Sequence, residues 1–128
     1  MADIAVDFDG TVVKHRYPDI GEDIPGAVDT LRELVNKGHK LLLNTMRGGR
    51  ELQEAVEWFD IRRLPLYGIN HNKRQDYWTL SPKVWADVYI DDAAAFAPLL
   101  KETEEGYTGR DYLNWVAVKS WLIQNNYL

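Results

Sequence analysis

The sequence contains no cysteine, which excludes disulfide bonds, thiolate metal ligands and a cysteine nucleophile. It also has no apolar run near the ~20 residues that a membrane-spanning helix needs. The first residues, Met-Ala-Asp, do not have the pattern of a signal peptide, and we therefore expect a cytoplasmic location. The net charge is -5, which disfavours nucleic acid or an anionic membrane as the main partner.

The 128 residues are 45% hydrophobic and 27% charged, which is typical of one soluble domain spanning residues 1–128. Short apolar runs and amphipathic stretches alternate along the chain. The predicted strands cover residues 4–8, 40–45, 66–70 and 86–91, and the predicted helices cover residues 25–37, 49–59, 93–100 and 112–125. This alternation predicts the α/β class, with a single Rossmann-like open parallel sheet flanked by helices.

The predicted C-terminal helix is apolar around much of its circumference, and Asp111 is a candidate cap at its start. Packing on the sheet explains such a surface. A contact between two copies of the chain, which would make a homo-oligomer, is the alternative.

The most informative segment is Ile4 to Val12, where an apolar strand ends in Asp7, Asp9 and Gly10. Where a strand ends, the chain can turn, and Gly10 allows a sharp turn and a close backbone approach. Two carboxylates that converge repel each other unless a cation lies between them or one holds a proton. The segment therefore indicates metal binding or phosphoryl chemistry.

Other polar residues lie at the ends of the remaining predicted strands. Thr45 closes the second strand, Asp91 and Asp92 close the last one, and Lys83 lies just before that last strand. Ligands of open α/β sheets bind beyond the carboxyl ends of the strands. We therefore expect all of these residues to converge at one edge of the sheet.

The order of these motifs resembles the haloacid dehalogenase (HAD) superfamily of phosphohydrolases over most of the chain. The first motif of that superfamily matches Asp7-Phe8-Asp9-Gly10-Thr11, and the second matches Leu41-Leu42-Leu43-Asn44-Thr45. The third matches Lys83, and the fourth, an acidic pair after a strand, matches Tyr89-Ile90-Asp91-Asp92.

The resemblance implies a Mg²⁺-dependent phosphatase that forms an aspartyl-phosphate on Asp7, with Asp9 as general acid and base. It assigns the Mg²⁺ to the Asp7 carboxylate, the Asp9 backbone carbonyl and a carboxylate of the last motif. Asp92 is the expected direct ligand, with Asp91 supporting it.

The resemblance also assigns two residues to the phosphoryl group itself. Thr45 would donate its hydroxyl to a phosphoryl oxygen, and Lys83 would neutralise negative charge on the phosphoryl group and on Asp7.

Neither gap between the motifs has room for a cap domain, so we expect a HAD-like core without a cap. Arg47 follows Thr45 closely and is a candidate ligand for an anionic substrate. Asn70 begins a polar stretch after the third strand and is a second candidate. The basic loop 14–18 is either a small flap over the phosphate or a solvated loop.

Other functions remain open beside the phosphatase. A receiver domain of similar build is disfavoured, because it would place its acceptor aspartate on a middle strand, where this chain has Asn44-Thr45. A phosphotransferase, or a protein that binds a phosphorylated ligand without turnover, stays open. Sugar phosphates, nucleotides, phosphorylated nucleic-acid ends and phosphoproteins are all candidate substrates.

Overall fold

A computed structural model of the chain describes residues 1–104 and 108–128. Four parallel strands form one open sheet: β1 (Asp3–Val6), β2 (Lys40–Leu43), β3 (Leu66–Ile69) and β4 (Val88–Ile90). Their order across the sheet is β3-β2-β1-β4, so β1 is central and is paired on both sides. The predicted α/β class and the Rossmann-like parallel sheet are confirmed.

Three helices, α1 (Ala27–Asn36), α2 (Gly49–Ile61) and α3 (Trp115–Gln124), pack on one face of this sheet. The connections from β1 to β2 and from β2 to β3 step in the same direction across the sheet, and right-handed crossovers then place α1 and α2 on the same side. The main core lies between these helices and the alternate strand residues that point toward them, such as Ile4 and Val6, together with Phe8 just after β1.

The other face of the sheet is covered by residues 72–86, an irregular segment with a single 3₁₀ turn at Lys73–Gln75. Val84 and Ala86 pack there against Ala5 and Leu42. A segment without regular structure needs other partners for its backbone groups, because buried polar groups must be hydrogen-bonded.

Two buried amide side chains, Asn72 and Gln75, supply those partners. The Asn72 Nδ2 donates to the Asp3 carboxylate at 3.0 Å and to the Trp85 carbonyl at 2.9 Å. The Gln75 Nε2 donates to the Lys83 carbonyl at 3.0 Å, and its Oε1 accepts from the Trp85 N–H at 2.9 Å. The two side chains thus hold the segment against the sheet.

The predicted helix over residues 93–100 is wrong. Turns follow β4, and Leu99–Leu100 forms strand β5, which pairs antiparallel with β6 (Tyr112–Leu113). Pro98 lacks the N–H that a helix interior requires. The pairing of β5 with β6 satisfies backbone groups that a helix would otherwise have satisfied internally.

Helix α3 begins later than predicted, because Tyr112 and Leu113 belong to β6. Asn114, and not Asp111, caps it, since its side chain accepts from the N–H groups of Val116 and Ala117. Trp115, Val118 and Leu122 are buried in the main core, so the packing explanation of its apolar surface is correct for that side. Its other side leaves Val116, Trp121 and Ile123 exposed.

Among the described residues, no helix has both the length and the apolar character required to cross a membrane.

We expect Asn72→Ala to lower the free energy of unfolding by roughly 2–3 kcal/mol, because it leaves the buried Asp3 carboxylate and the Trp85 carbonyl short of a donor. Urea denaturation measures this change. Asn36→Ala, at the exposed end of α1, is the matched control and should change stability by less than about 0.5 kcal/mol. Equal effects of the two substitutions would contradict this role for Asn72.

Candidate active site

A cavity of about 420 Å³ lies at the carboxyl ends of β1, β2 and β4. Because these strands are parallel and paired in register, the residues that follow them meet at one edge of the sheet. The side chains around the cavity come from these strand ends and from two loops. They are Asp7, Asp9, His15, Tyr17, Thr45, Met46, Arg47, Asp92, Ala93 and Arg110.

The loop after β1 turns sharply at Gly10, whose φ is 79°. The Phe8 carbonyl accepts from the N–H groups of Thr11 at 3.1 Å and Val12 at 2.9 Å, which closes the turn. A β-carbon at Gly10 would overlap the His15 ring and the Asp92 carboxylate. Glycine is therefore required for its left-handed backbone and for the close approach of these two side chains.

Three carboxylates, of Asp7, Asp91 and Asp92, offer oxygen atoms that lie within 4.8 Å of one another. The Thr11 hydroxyl connects two of them, lying 3.3 Å from Asp7 Oδ2 and 3.1 Å from Asp92 Oδ1. The same hydroxyl accepts from the Asp92 N–H at 3.1 Å. It thereby joins the loop after β1 to the loop after β4.

The pKa values of Asp7 and Asp92 are shifted in opposite directions. Burial raises the pKa of Asp7 from 3.8 to about 8, and the negative charge of Asp91 adds to the increase. Burial alone would also raise the pKa of Asp92, but hydrogen bonds from His15, Asp7 and Thr11 outweigh it and lower that pKa. Without a cation, Asp7 therefore holds a proton near neutral pH while Asp92 stays ionised.

The donor set fits a hard divalent cation. All three carboxylates supply oxygen, which Mg²⁺ and Ca²⁺ both prefer, and two oxygens on opposite sides of a Mg²⁺ are about 4.1 Å apart. The oxygens of the cluster therefore need only small movements to share one ion. A cation would replace the proton on Asp7 and relieve the repulsion in the cluster.

Asp9 is held apart from this cluster by Arg47. Arg47 Nε donates to Asp9 Oδ2 at 2.8 Å and Arg47 Nη2 donates to Asp9 Oδ1 at 2.7 Å, which makes a bidentate ion pair. Burial alone would lower the pKa of Arg47, but the hydrogen bonds and the negative charge of Asp9 raise it. Arg47 is therefore a permanent cation beside Asp9.

The structure does not place Arg47 as a substrate ligand, which corrects the expectation from the sequence. Its other three N–H bonds go to the carbonyls of Pro18, Asp19 and Glu51. A guanidinium has five N–H bonds, so none is left for a phosphoryl oxygen. The Arg47 side chain is only 1% exposed.

Thr45 and Asn70 lie together at the ends of β2 and β3. Asn70 Oδ1 accepts from the Thr45 N–H at 2.8 Å, while Thr45 Oγ1 accepts from the Arg47 N–H at 3.1 Å. The proton of the Thr45 hydroxyl can therefore still be donated toward the cavity. Asn70 fixes the backbone at Thr45 and does not line the cavity.

Lys83 is not brought to the cavity. Its side chain is exposed, and its Nζ lies 6.0 Å from the centre of the Tyr89 ring. It belongs to the irregular segment on the second face of the sheet. The expected convergence is thus observed for Asp7, Asp9, Thr45, Asp91 and Asp92, and not for Lys83.

His15 and Tyr17 line the cavity, although the sequence pointed only to the loop that contains them. His15 Nε2 lies 3.0 Å from Asp92 Oδ2, and the residue is 7% exposed. Tyr17 stacks over the Arg47 guanidinium at 5.1 Å. The basic residues directly after the first motif were the feature of the sequence that pointed to this part of the cavity. The flanking position supports the flap interpretation of this loop.

We expect the raised pKa of Asp7 to make the metal-free protein less stable as pH rises from about 4 through about 8. Over that range the folded state keeps a proton on Asp7 that the unfolded state loses, so each increase in pH favours unfolding. Asp7→Asn removes this titration. At pH 9 in EDTA, the variant should exceed the wild type by at least about 1 kcal/mol in free energy of unfolding.

Urea denaturation at pH 4, 7 and 9 measures this difference, with Asp60→Asn on the exposed side of α2 as control. The control should follow the wild type at each pH. If Asp7→Asn followed the wild type as well, Asp7 would not be the protonated group.

Comparisons with known proteins show a similarity to a solved structure. No family model matches the chain, and no curated protein matches it. A solved structure, described as that of a conserved protein coded by a locus from Bacteroides thetaiotaomicron, is similar at 37% sequence identity and a TM-score of 0.77. The match covers 98% of this chain and 91% of that chain. At this identity and coverage, the chain belongs to the same family as the Bacteroides thetaiotaomicron protein.

Proposed function

We propose that this protein is a Mg²⁺-dependent phosphatase that hydrolyses a phosphomonoester through an aspartyl-phosphate on Asp7. The observation that carries the proposal is the separation of two neighbouring carboxylates into different environments. Asp7 lies in the cluster of three carboxylates, while Asp9 faces the same cavity from a bidentate pair with Arg47. Such a separation gives two aspartates two roles, nucleophile and acid–base.

The first step uses both aspartates. Ionised Asp7 attacks phosphorus through one oxygen, and the bond from phosphorus to the leaving oxygen breaks. Asp9, which has taken up a proton from solvent before this step, donates that proton to the leaving oxygen. In the second step Asp9 takes a proton from a water molecule that attacks phosphorus, and the bond to Asp7 breaks. Both carboxylates are then ready for another cycle, and the products are an alcohol and inorganic phosphate.

The remaining polar groups keep the reacting atoms in place. The cluster of Asp7, Asp91 and Asp92 would hold the Mg²⁺, with the Asp9 backbone carbonyl as a further ligand. The bound ion supplies positive charge that offsets the charge of the phosphoryl group. Thr45 donates its hydroxyl to a phosphoryl oxygen. Thr11 and His15 orient the Asp92 carboxylate, as outer residues commonly orient metal ligands.

The substrate class stays broad, because no cap domain covers the cavity in the part of the chain that the structure describes. A phosphorylated small molecule or macromolecule would reach Asp7 past the exposed Tyr17 and Met46.

We further propose that the protein acts in the cytoplasm. The exposed side of α3, with Val116, Trp121 and Ile123, is the proposed contact of a homo-oligomer.

We expect wild-type protein with Mg²⁺ to release phosphate from p-nitrophenyl phosphate, and Asp7→Asn to lower kcat by at least about 10³-fold because the nucleophile is lost. EDTA should abolish release by the wild type. Asp60→Asn, a distant substitution of the same kind, should keep wild-type activity. Full activity of Asp7→Asn would remove Asp7 as the nucleophile.

A folded, Mg²⁺-loaded wild type that releases no phosphate from an aryl or an alkyl ester would contradict the phosphatase. The same protein should then be tested for binding of inorganic phosphate. Binding without turnover would support the alternative of a protein that binds a phosphorylated ligand.

We propose that the Lys83 side chain moves to the phosphoryl group in the substrate complex, as the superfamily resemblance implies, and we expect Lys83→Ala to lower kcat/KM about 10²-fold. Lys73→Ala is the matched control, because Lys73 lies on the same irregular segment over the Tyr67 ring. Unchanged kcat/KM in Lys83→Ala would show that Lys83 stays on the second face of the sheet during catalysis.

A further inference from the structure

We infer that Arg47 is a positioning residue for Asp9, which directs the Asp9 carboxylate at the leaving group and does not bind the phosphoryl group. This inference rests on the proposed function and concerns the same cavity. It follows from where the five N–H bonds of Arg47 go and from what holds the guanidinium in place.

Arg47 is fixed by three backbone carbonyls from two separate parts of the chain. Its Nη1 donates to the carbonyls of Pro18 at 3.2 Å and Glu51 at 3.3 Å, and its Nη2 donates to the carbonyl of Asp19 at 2.8 Å. The loop after β1 and the first turn of α2 therefore set its position before any substrate is present.

Aromatic rings complete the surroundings of the guanidinium. The Phe8 ring lies 5.0 Å from it and the Tyr17 ring lies 5.1 Å from it, both within the range of cation–π attraction. A planar group held by rings and by its own hydrogen bonds cannot turn without breaking several contacts. Arg47 is thus a rigid platform.

The platform determines the plane of the Asp9 carboxylate. Each Asp9 oxygen accepts one hydrogen bond from Arg47, at 2.8 Å and 2.7 Å. A carboxylate has about four lone-pair sites, so two stay free, and Asp9 lines the cavity with its side chain 19% exposed. One free site can carry the proton that goes to the leaving oxygen.

Loss of the Arg47 side chain should lower the rate most for substrates whose leaving oxygen needs the proton from Asp9. An alkoxide is a poor leaving group and requires protonation as the bond to phosphorus breaks, whereas p-nitrophenolate leaves without a proton. A residue that orients the acid therefore affects alkyl phosphates selectively. A residue that binds the phosphoryl group, or only supports the fold, affects both substrates alike.

The test compares kcat and KM of the wild type, Arg47→Lys and Arg47→Ala on p-nitrophenyl phosphate and on glycerol phosphate, with Mg²⁺ present. Lysine keeps the charge but cannot form the bidentate pair. We expect kcat on the alkyl ester to fall about 10²-fold in both variants, with less than about a fivefold change on the aryl ester. KM should change little on either substrate.

Arg62→Lys is the matched control. Arg62 makes a second bidentate pair, with Asp23, through Nε at 3.1 Å and Nη2 at 3.0 Å, and it also stacks on an aromatic ring. Neither residue lines the cavity. Breaking this pair should therefore leave the ratio of the two activities unchanged.

A double variant, Asp9→Asn with Arg47→Lys, shows whether Arg47 affects the rate through Asp9 or independently of it. Because Arg47 acts through Asp9, the double variant should be no slower on the alkyl ester than Asp9→Asn alone. Additive losses, or equal losses on both substrates in folded Arg47→Lys, would overturn the inference. A wild type inactive on both esters would instead overturn the proposed function.

Discussion

Strand β1 is hydrogen-bonded on both sides, and the arrangement of the site depends on that central position. Pairing with β2 carries Asn44 and Thr45 to the same edge as Asp7, and pairing with β4 carries Asp91 and Asp92 there. The Asp7 N–H donates to the Ile90 carbonyl at 3.0 Å, and the Asn44 N–H donates to the Val6 carbonyl at 2.9 Å. Residues far apart in sequence are thereby fixed within one cavity.

The site then has to accommodate several negative charges in a small, partly buried volume. It does so in two ways. Asp9 is neutralised by the fixed guanidinium of Arg47, whereas Asp7 is neutralised by a proton that a metal ion can replace. The first arrangement is part of the folded structure, and the second changes with pH and with the cation supply. This difference is what suits the two aspartates to different roles.

The second face of the sheet is built in another way from the first. Three helices cover the first face with a large apolar core, whereas an irregular segment with two buried amides covers the second. The side chains of Asn72 and Gln75 form hydrogen bonds with backbone groups of this segment, as internal hydrogen bonds pair the backbone groups of a helix. Lys83 is carried by this segment, which explains why it lies away from the cavity although its place in the sequence matches the motif.

The sequence by itself determined the order of strands and helices, because apolar runs and amphipathic stretches follow different periods. It also determined that Asp7, Asp9, Thr45 and Asp92 meet, since parallel strands place their carboxyl ends at one edge. It failed at residues 93–100, where short-range pattern favoured a helix and the pairing of Leu99–Leu100 with Tyr112–Leu113 prevailed. Only the tertiary structure decided the partners of each side chain. Arg47 has the same charge whether it faces a phosphate or Asp9, and only the positions of the Pro18, Asp19 and Glu51 carbonyls direct it to Asp9.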